Sequence, residues 1–292
     1  MPYAKGSGGA RIHYDVRGSS HQTVVLLHGL GLSSRFWFDQ PERLGSSPDP
    51  WRVITIDNRG VGRSDKPLAP QSYTMRAMAD DVAAVLDHAR VERAYVAGLS
   101  LGGMIAQHVA LRHAPRVEGL VLLGTSAGFP HMHLPKAKAL ASFLALPFDG
   151  SLRRREVRRP FARLLLGGQD VGRSTELLSG WPDAFKTDPT PTRVFMAHLA
   201  AAVFSHSAGD DLHRVHCPTV VVTGDDDALL PQQNSRTLAR LFPWAHLEVV
   251  RGAGHIIPAS HPECVRKALE KVKSMAHVRA SSRNGAHAAV AK

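Results

Sequence analysis

The chain has 292 residues, 43% hydrophobic and 21% charged, with a formal net charge of +11. That length suits one large sheet core plus an insertion. No stretch approaches about 18 uninterrupted apolar residues, and no recognition motif or aromatic-basic interleaving accompanies the charge, so neither a membrane nor a nucleic acid is expected as a partner.

The opening MPYAKGSGGA has no apolar h-region, which predicts a soluble, cytoplasmic protein. A strand is expected over Val24–Leu27, followed by His28, Gly29, Leu30 and Gly31, and another over Val53–Ile56, followed by the turn Asp57–Ser64. In that turn the glycines and a buried aspartate can fix the chain without touching substrate, a structural use. Next comes a short buried strand, Ala94–Ala97, and then Gly98, Leu99, Ser100, Leu101 and Gly102. This pentapeptide reads as a nucleophile elbow, a turn so tight that the central serine is strained and its flanking positions must lack a Cβ. A helix is predicted from about Leu101 to His113, with its N-terminal amides and dipole aimed at an anion developing near Ser100. Gly103 and Ala106 would let that helix pack closely on the sheet, and Gly119–Gly124 reads as the next strand.

A serine is a poor nucleophile at its own pKa and needs a base within hydrogen-bond reach and an acid to orient that base. Downstream, the strand-like run Pro218–Gly224 breaks into Asp225, Asp226 and Asp227, and Leu247–Arg251 leads into Gly252, Ala253, Gly254 and His255. Both breaks fall at strand C-termini, where open parallel sheets keep their sites. His261 is the nearby rival base, but with Pro262 and Glu263 it fits a helix start. The segment after the strand ending at Gly124 holds no carboxylate, so an acid there is not expected.

From about Ile12 to Lys273 the chain resembles the α/β-hydrolase superfamily, with the order serine, aspartate, histidine. The resemblance implies an α/β fold, a mostly parallel sheet with helices on both faces and an inserted helical cap. GDDDALLP looks like the family's acid turn, which makes Asp227 the acid and Asp225 and Asp226 bystanders; GAGH is similar to its histidine loop. His28–Gly31 resembles its HGxG loop, which implies an oxyanion hole from the amides of Leu30 and Leu101, with His28 stabilising the loop by local hydrogen bonds. Asp57–Ser64 looks like the turn after the family's third strand. The implied catalytic set is Ser100, Asp227 and His255, without cofactor or metal.

Core sequence is expected over 1–128 and 212–275, with the cap over 129–211, where Pro135, Pro147, Pro182, Pro189 and Pro191 break helical pieces. Candidate pocket walls are Phe143, Trp181, Phe195 and Phe204, with Leu140, Leu144, Leu146, Phe148, Phe185 and Met196 as further candidates. The arginines 153, 154, 155, 158, 159 and 163 read as a solvated helix, or as attraction for an acidic substrate or another subunit. Cys217 and Cys264 read as packing residues, not a disulfide or a metal site. Residues 276–292 are expected to be a disordered tail, and the assembly a monomer or homodimer.

The expected substrate is a small-molecule ester or lactone, with GLSLGGMIAQ similar to the enol-lactonase and small methylesterase branch. The alternatives are carbon-carbon bond hydrolysis of a dienoic ketone, a cofactor-free haloperoxidase or perhydrolase, and a non-catalytic binding module.

Overall fold

The computed structural model describes residues 2–144, 162–168 and 180–290. Its strands are β1 Tyr3–Lys5, β2 Arg11–Arg17, β3 Thr23–Leu27, β4 Arg52–Ile56, β5 Ala94–Leu99, β6 Val117–Leu123, β7 Thr219–Gly224 and β8 Ala245–Val250. They form one sheet in the order β1-β2-β4-β3-β5-β6-β7-β8. The β1-β2 and β2-β4 pairs are antiparallel and the rest parallel, so the fold is α/β with a mostly parallel sheet. The β1 and β2 pair was not anticipated; its short polar-edged sequence, with burial confined to alternate positions in β1, carries little periodicity to read.

The central strands are buried along their whole length, as strands covered on both faces must be. Alternate residues feed two cores. After the short α1 Gln40–Gly45 come helices α2 Met75–His88 and α3 Leu101–Arg112, under which Val25, Leu27, Val96, Leu120 and Val221 pack. Val24, Leu26, Ala97, Val121 and Val222 face the other core, with Val265, Leu269 and Val272 of the C-terminal helix, Glu263–Val290. Cys217 packs against the first of these cores and Cys264 against the second. Burial pushes the Cys264 thiol up to about 12, far from a reactive thiolate.

Between β6 and β7 the alternation stops and helices are inserted: α4 Ala137–Leu144, a helical turn at 162–166, Trp181–Thr187 and Thr192–Ala200. Leu146, Phe148 and the arginines 153, 154, 155, 158 and 159 lie outside the described residues, as does the side chain of Phe185; Arg163 is exposed. The C-terminal helix extends to Val290, through most of the expected tail. Its Ala-rich sequence is a good helix former and contains no proline to stop it. Among the described residues no helix is long and apolar enough to cross a membrane.

Candidate active site

The sheet reverses its winding at β3, whose neighbours are β4 on one side and β5 on the other. A crevice opens at such a point, beyond the strands' C-termini. Leu27 of β3 pairs with Gly98 of β5, so the residues that follow each strand emerge side by side. A Cβ on Gly29 would lie 3.4 Å from Ser100 Cβ and 3.9 Å from its Oγ.

Ser100 links β5 to α3 at φ 54 and ψ −117. Its N–H donates to the Leu123 carbonyl at 2.9 Å, and its carbonyl accepts from Gly103 N–H at 2.9 Å and Thr125 Oγ1 at 2.8 Å. A Cβ on Gly98 would meet the Gly102 carbonyl oxygen at 2.2 Å, and one on Gly102 would meet that of Leu27 at 2.1 Å. The two glycines thus permit the turn and its approach to β3. Gly103 lies against the Thr125 side chain, where a Cβ would come within 2.7 Å, and Ala106 is fully buried.

Asp227 and His255 follow β7 and β8. Asp227 Oδ1 accepts from the N–H groups of Leu229 at 2.9 Å and Leu230 at 2.8 Å, which leaves Oδ2 for His255 Nδ1 at 2.9 Å. An imidazole that donates from Nδ1 has Nε2 as its acceptor when neutral. Asp225 and Asp226 are not part of this pair. Asp225 Oδ1 accepts from Gly252 N–H and Asp226 Oδ2 from Gly168 N–H, each at 2.7 Å, so they secure the loops around it. His261 is bonded to Ser260 Oγ and does not line the cavity that Ser100 and His255 share.

Gly124, at the end of β6, escaped the sequence reading. It has φ +47, and a Cβ there would lie 3.4 Å from both Asp227 Oδ2 and His255 Nδ1. A glycine at a strand end was its only signal, and the pair it makes room for is distant in sequence.

His28 is 1% exposed and accounts for the shape of the next loop. Its Nδ1 accepts from Gly29 N–H at 2.7 Å and its Nε2 donates to the Phe36 carbonyl at 3.1 Å. Burial pushes the ring's pKa down to about 3, so it stays neutral and anchors the loop. The Gly29 carbonyl accepts from Leu32 N–H at 3.2 Å. Because a trans peptide holds its C=O and N–H on opposite sides, that bond turns the Leu30 N–H the other way. Leu30 lines the cavity, and neither its amide nor that of Leu101 has a partner among the described residues. Asp57 lies outside the cavity. Burial raises its pKa, but the His13 ring 3.1 Å away and hydrogen bonds from the Arg63 and Ser34 amides outweigh that and hold it at about 2. It fixes the turn after β4.

The cavity at Ser100 has a volume of about 40 Å3 and is walled by His28, Leu32, Leu99, Phe143, Leu165, Trp181 and Ile256. Beyond His28, Leu99 and Ile256 lies a second hollow of about 260 Å3, lined by Phe36, Trp37 and Pro258, to which neither Ser100 nor His255 contributes. Of the predicted walls, Phe143 and Trp181 line the cavity, while Phe195 covers Gly31, where a Cβ would lie 3.1 Å from its ring. Phe204 is corrected: it is 85% exposed, because the turn Ala201–Ser205 buries Ala201 and Ala202 instead. Leu140, Leu144 and Met196 are also exposed.

The family model for the alpha/beta hydrolase fold matches residues 22–262. A relative from Caulobacter sp. strain K31, "Putative carbamate hydrolase RutD", is 30% identical over 262 residues, covering 88% of this chain and 94% of its own. Among solved structures, "Est816 as an N-Acyl homoserine lactone degrading enzyme" superposes with a TM-score of 0.73 at 30% identity, covering 92% of this chain and 99% of that one. A thermophilic esterase from Thermogutta terrifontis superposes with a TM-score of 0.72 at 26% identity, covering 94% and 98%. By its sheet, its family match and the span of these likenesses, the chain belongs to the alpha/beta hydrolase fold family.

Proposed function

We propose that the chain is a serine hydrolase that cleaves a small carboxylic ester or lactone through an acyl-serine intermediate. The observation that carries this reading is the Asp227–His255 pair, 2.9 Å apart, with His255 lining one cavity with the strained Ser100 and with Leu30. His255 Nε2 takes the Ser100 proton as Oγ attacks the carbonyl carbon, and Asp227 holds the ring in the tautomer this requires. The carbonyl π pair moves onto oxygen, which the Leu30 and Leu101 amides receive. Collapse expels the alkoxide, which takes the proton from His255, and water repeats the sequence to release the acid. The helices between β6 and β7 act as the cap, with Phe143 and Trp181 bounding the acyl or alkoxy group.

The lactone-degrading and esterase relatives support this substrate class. The name of the Caulobacter relative favours a second reading, carbamate cleavage, which needs the same attack on a less electrophilic carbonyl. Wild type and Ser100→Ala should be compared on p-nitrophenyl esters, an acyl-homoserine lactone and a simple alkyl carbamate, with folding checked by circular dichroism. The expected result is ester or lactone turnover that falls to the background rate in Ser100→Ala. Turnover retained by that variant would sink the acyl-serine reading, and turnover of the carbamate alone would select the second.

A further inference from the structure

The loop that carries the Leu30 amide is gripped from outside by the inserted segment. Gly31, at φ +70, has both of its backbone polar groups engaged there. Its N–H is directed to His198 Nδ1 at 3.4 Å, and its carbonyl accepts from Thr190 Oγ1 at 2.7 Å. His198 is 1% exposed, and its Nε2 donates to the Arg59 carbonyl at 2.9 Å, which makes Nδ1 the acceptor in the neutral ring. Two residues along, Ser33 Oγ donates to Asp188 Oδ2 at 3.0 Å, and Arg35 Nε reaches the same oxygen at 2.7 Å. Asp188, Thr190 and His198 thus bind one face of a turn whose other face lies beside Ser100.

We propose that Thr190 and His198 are positioning residues for the oxyanion: by holding both polar groups of Gly31 they fix the Gly29–Leu32 turn in the form that directs the Leu30 N–H into the Ser100 cavity. The inference rests on the acyl-serine reading above. It makes the cap part of the catalytic frame. A turn with a left-handed glycine has other conformations of similar energy, in which the Gly29–Leu30 peptide flips and the amide leaves the cavity. The bonds to Thr190 and His198 oppose that flip without touching substrate.

The test uses the full chain as wild type, Thr190→Val, Thr190→Ser, His198→Ala, His198→Asn and Ser100→Ala. Steady-state kinetics on p-nitrophenyl butyrate are paired with inhibition by a trifluoromethyl ketone. Ser100 Oγ adds to the ketone carbon, its proton passes to His255, and the carbonyl oxygen becomes the anion that probes the Leu30 amide. Thr190→Val and His198→Ala should lower kcat by about 10- to 100-fold with KM nearly unchanged, and weaken the ketone by a similar factor. Thr190→Ser and His198→Asn, which keep an acceptor or donor at the same place, should recover most of both. Wild-type kcat and ketone affinity in Thr190→Val would overturn the proposal, as would a loss that Thr190→Ser fails to restore. Thr190 is half-buried and the valine exchange nearly isosteric, so this arm decides even if His198→Ala does not fold. Ester hydrolysis by Ser100→Ala would instead overturn the reading on which the proposal rests.

Discussion

Ser100 occupies a backbone conformation, φ 54, that costs a non-glycine residue on the order of 1–3 kcal/mol. The bonds to its amide and carbonyl hold it there, and the turn leaves the residue lining the cavity beyond the strand ends. Gly124 has the complementary task of leaving space. Gly124→Ala should add a methyl 3.1 Å from the His255 carbonyl oxygen and 3.4 Å from the two atoms of the Asp227–His255 bond. The expected outcome, on the proposed mechanism, is a kcat reduced about 10- to 100-fold by a shift of the His255 ring, with a folding cost of about 1–2 kcal/mol from the φ of +47. Ester kinetics and thermal melts measure the two effects separately. A variant with a lowered melting temperature and an unchanged kcat would show that the residue serves the fold alone. Ser100, Asp227 and His255 were legible because each sits in a short local pattern at a strand end. The contacts of Gly124, Thr190 and His198 were not, since they exist only once segments far apart in sequence meet.

Among the elements, the turn after β4 carries more than its glycines suggested. Arg59 is 3% exposed and forms a two-pronged ion pair with Asp81 of α2, Nε to Oδ2 at 2.7 Å and Nη2 to Oδ1 at 2.6 Å. Its guanidinium also donates to the carbonyls of Ser7 and Ser72, and Asp81 accepts from Ser7 N–H at 2.9 Å. One pair therefore joins the first turn of the chain, the turn after β4 and α2. Burial raises the Asp81 pKa even beside Arg59, so the carboxylate depends on that partner. Arg59→Ala should destabilise the fold by about 3–5 kcal/mol, because it leaves a buried carboxylate without compensation. Urea unfolding followed by circular dichroism tests this, and a loss below about 1 kcal/mol would mean that solvent reaches Asp81. The strands were legible as continuous apolar runs, and α3 through the elbow before it. Phe204 was misread because hydrophobicity does not tell which way a side chain faces on a turn. The length of the C-terminal helix was not legible, because a polar, alanine-rich sequence lacks the apolar period by which a helix is recognised, yet has the propensity to form one.

On the scale of the whole molecule, the charge of +11 and the buried histidines make the same demand on pH. Burial holds His28 and His206 at about 3 and His108 and His198 at about 4, below the ordinary value of about 6.5. Each bonds as a neutral ring: His206 Nε2 donates to the Ser126 carbonyl at 2.9 Å while its Nδ1 faces His108 Nε2 at 3.2 Å. The unfolded chain takes up these protons as pH falls through about 6.5, whereas the native state does not until the lowered values are reached. Stability is therefore full above about pH 6.5, declines below it by up to about 1.4 kcal/mol per pH unit for each such ring, and levels off near the native pKa values. Protonation also adds to a positive charge already in excess, but that repulsion is screened by salt and the burial effect is not. Urea midpoints at about pH 7 and about pH 5, taken at low and high salt, separate the two contributions. The expected result is a lower midpoint at the acid pH that high salt only partly restores, and a shallower dependence in His206→Asn. A midpoint that salt restores in full would assign the acid sensitivity to surface repulsion and mean that the rings are solvated.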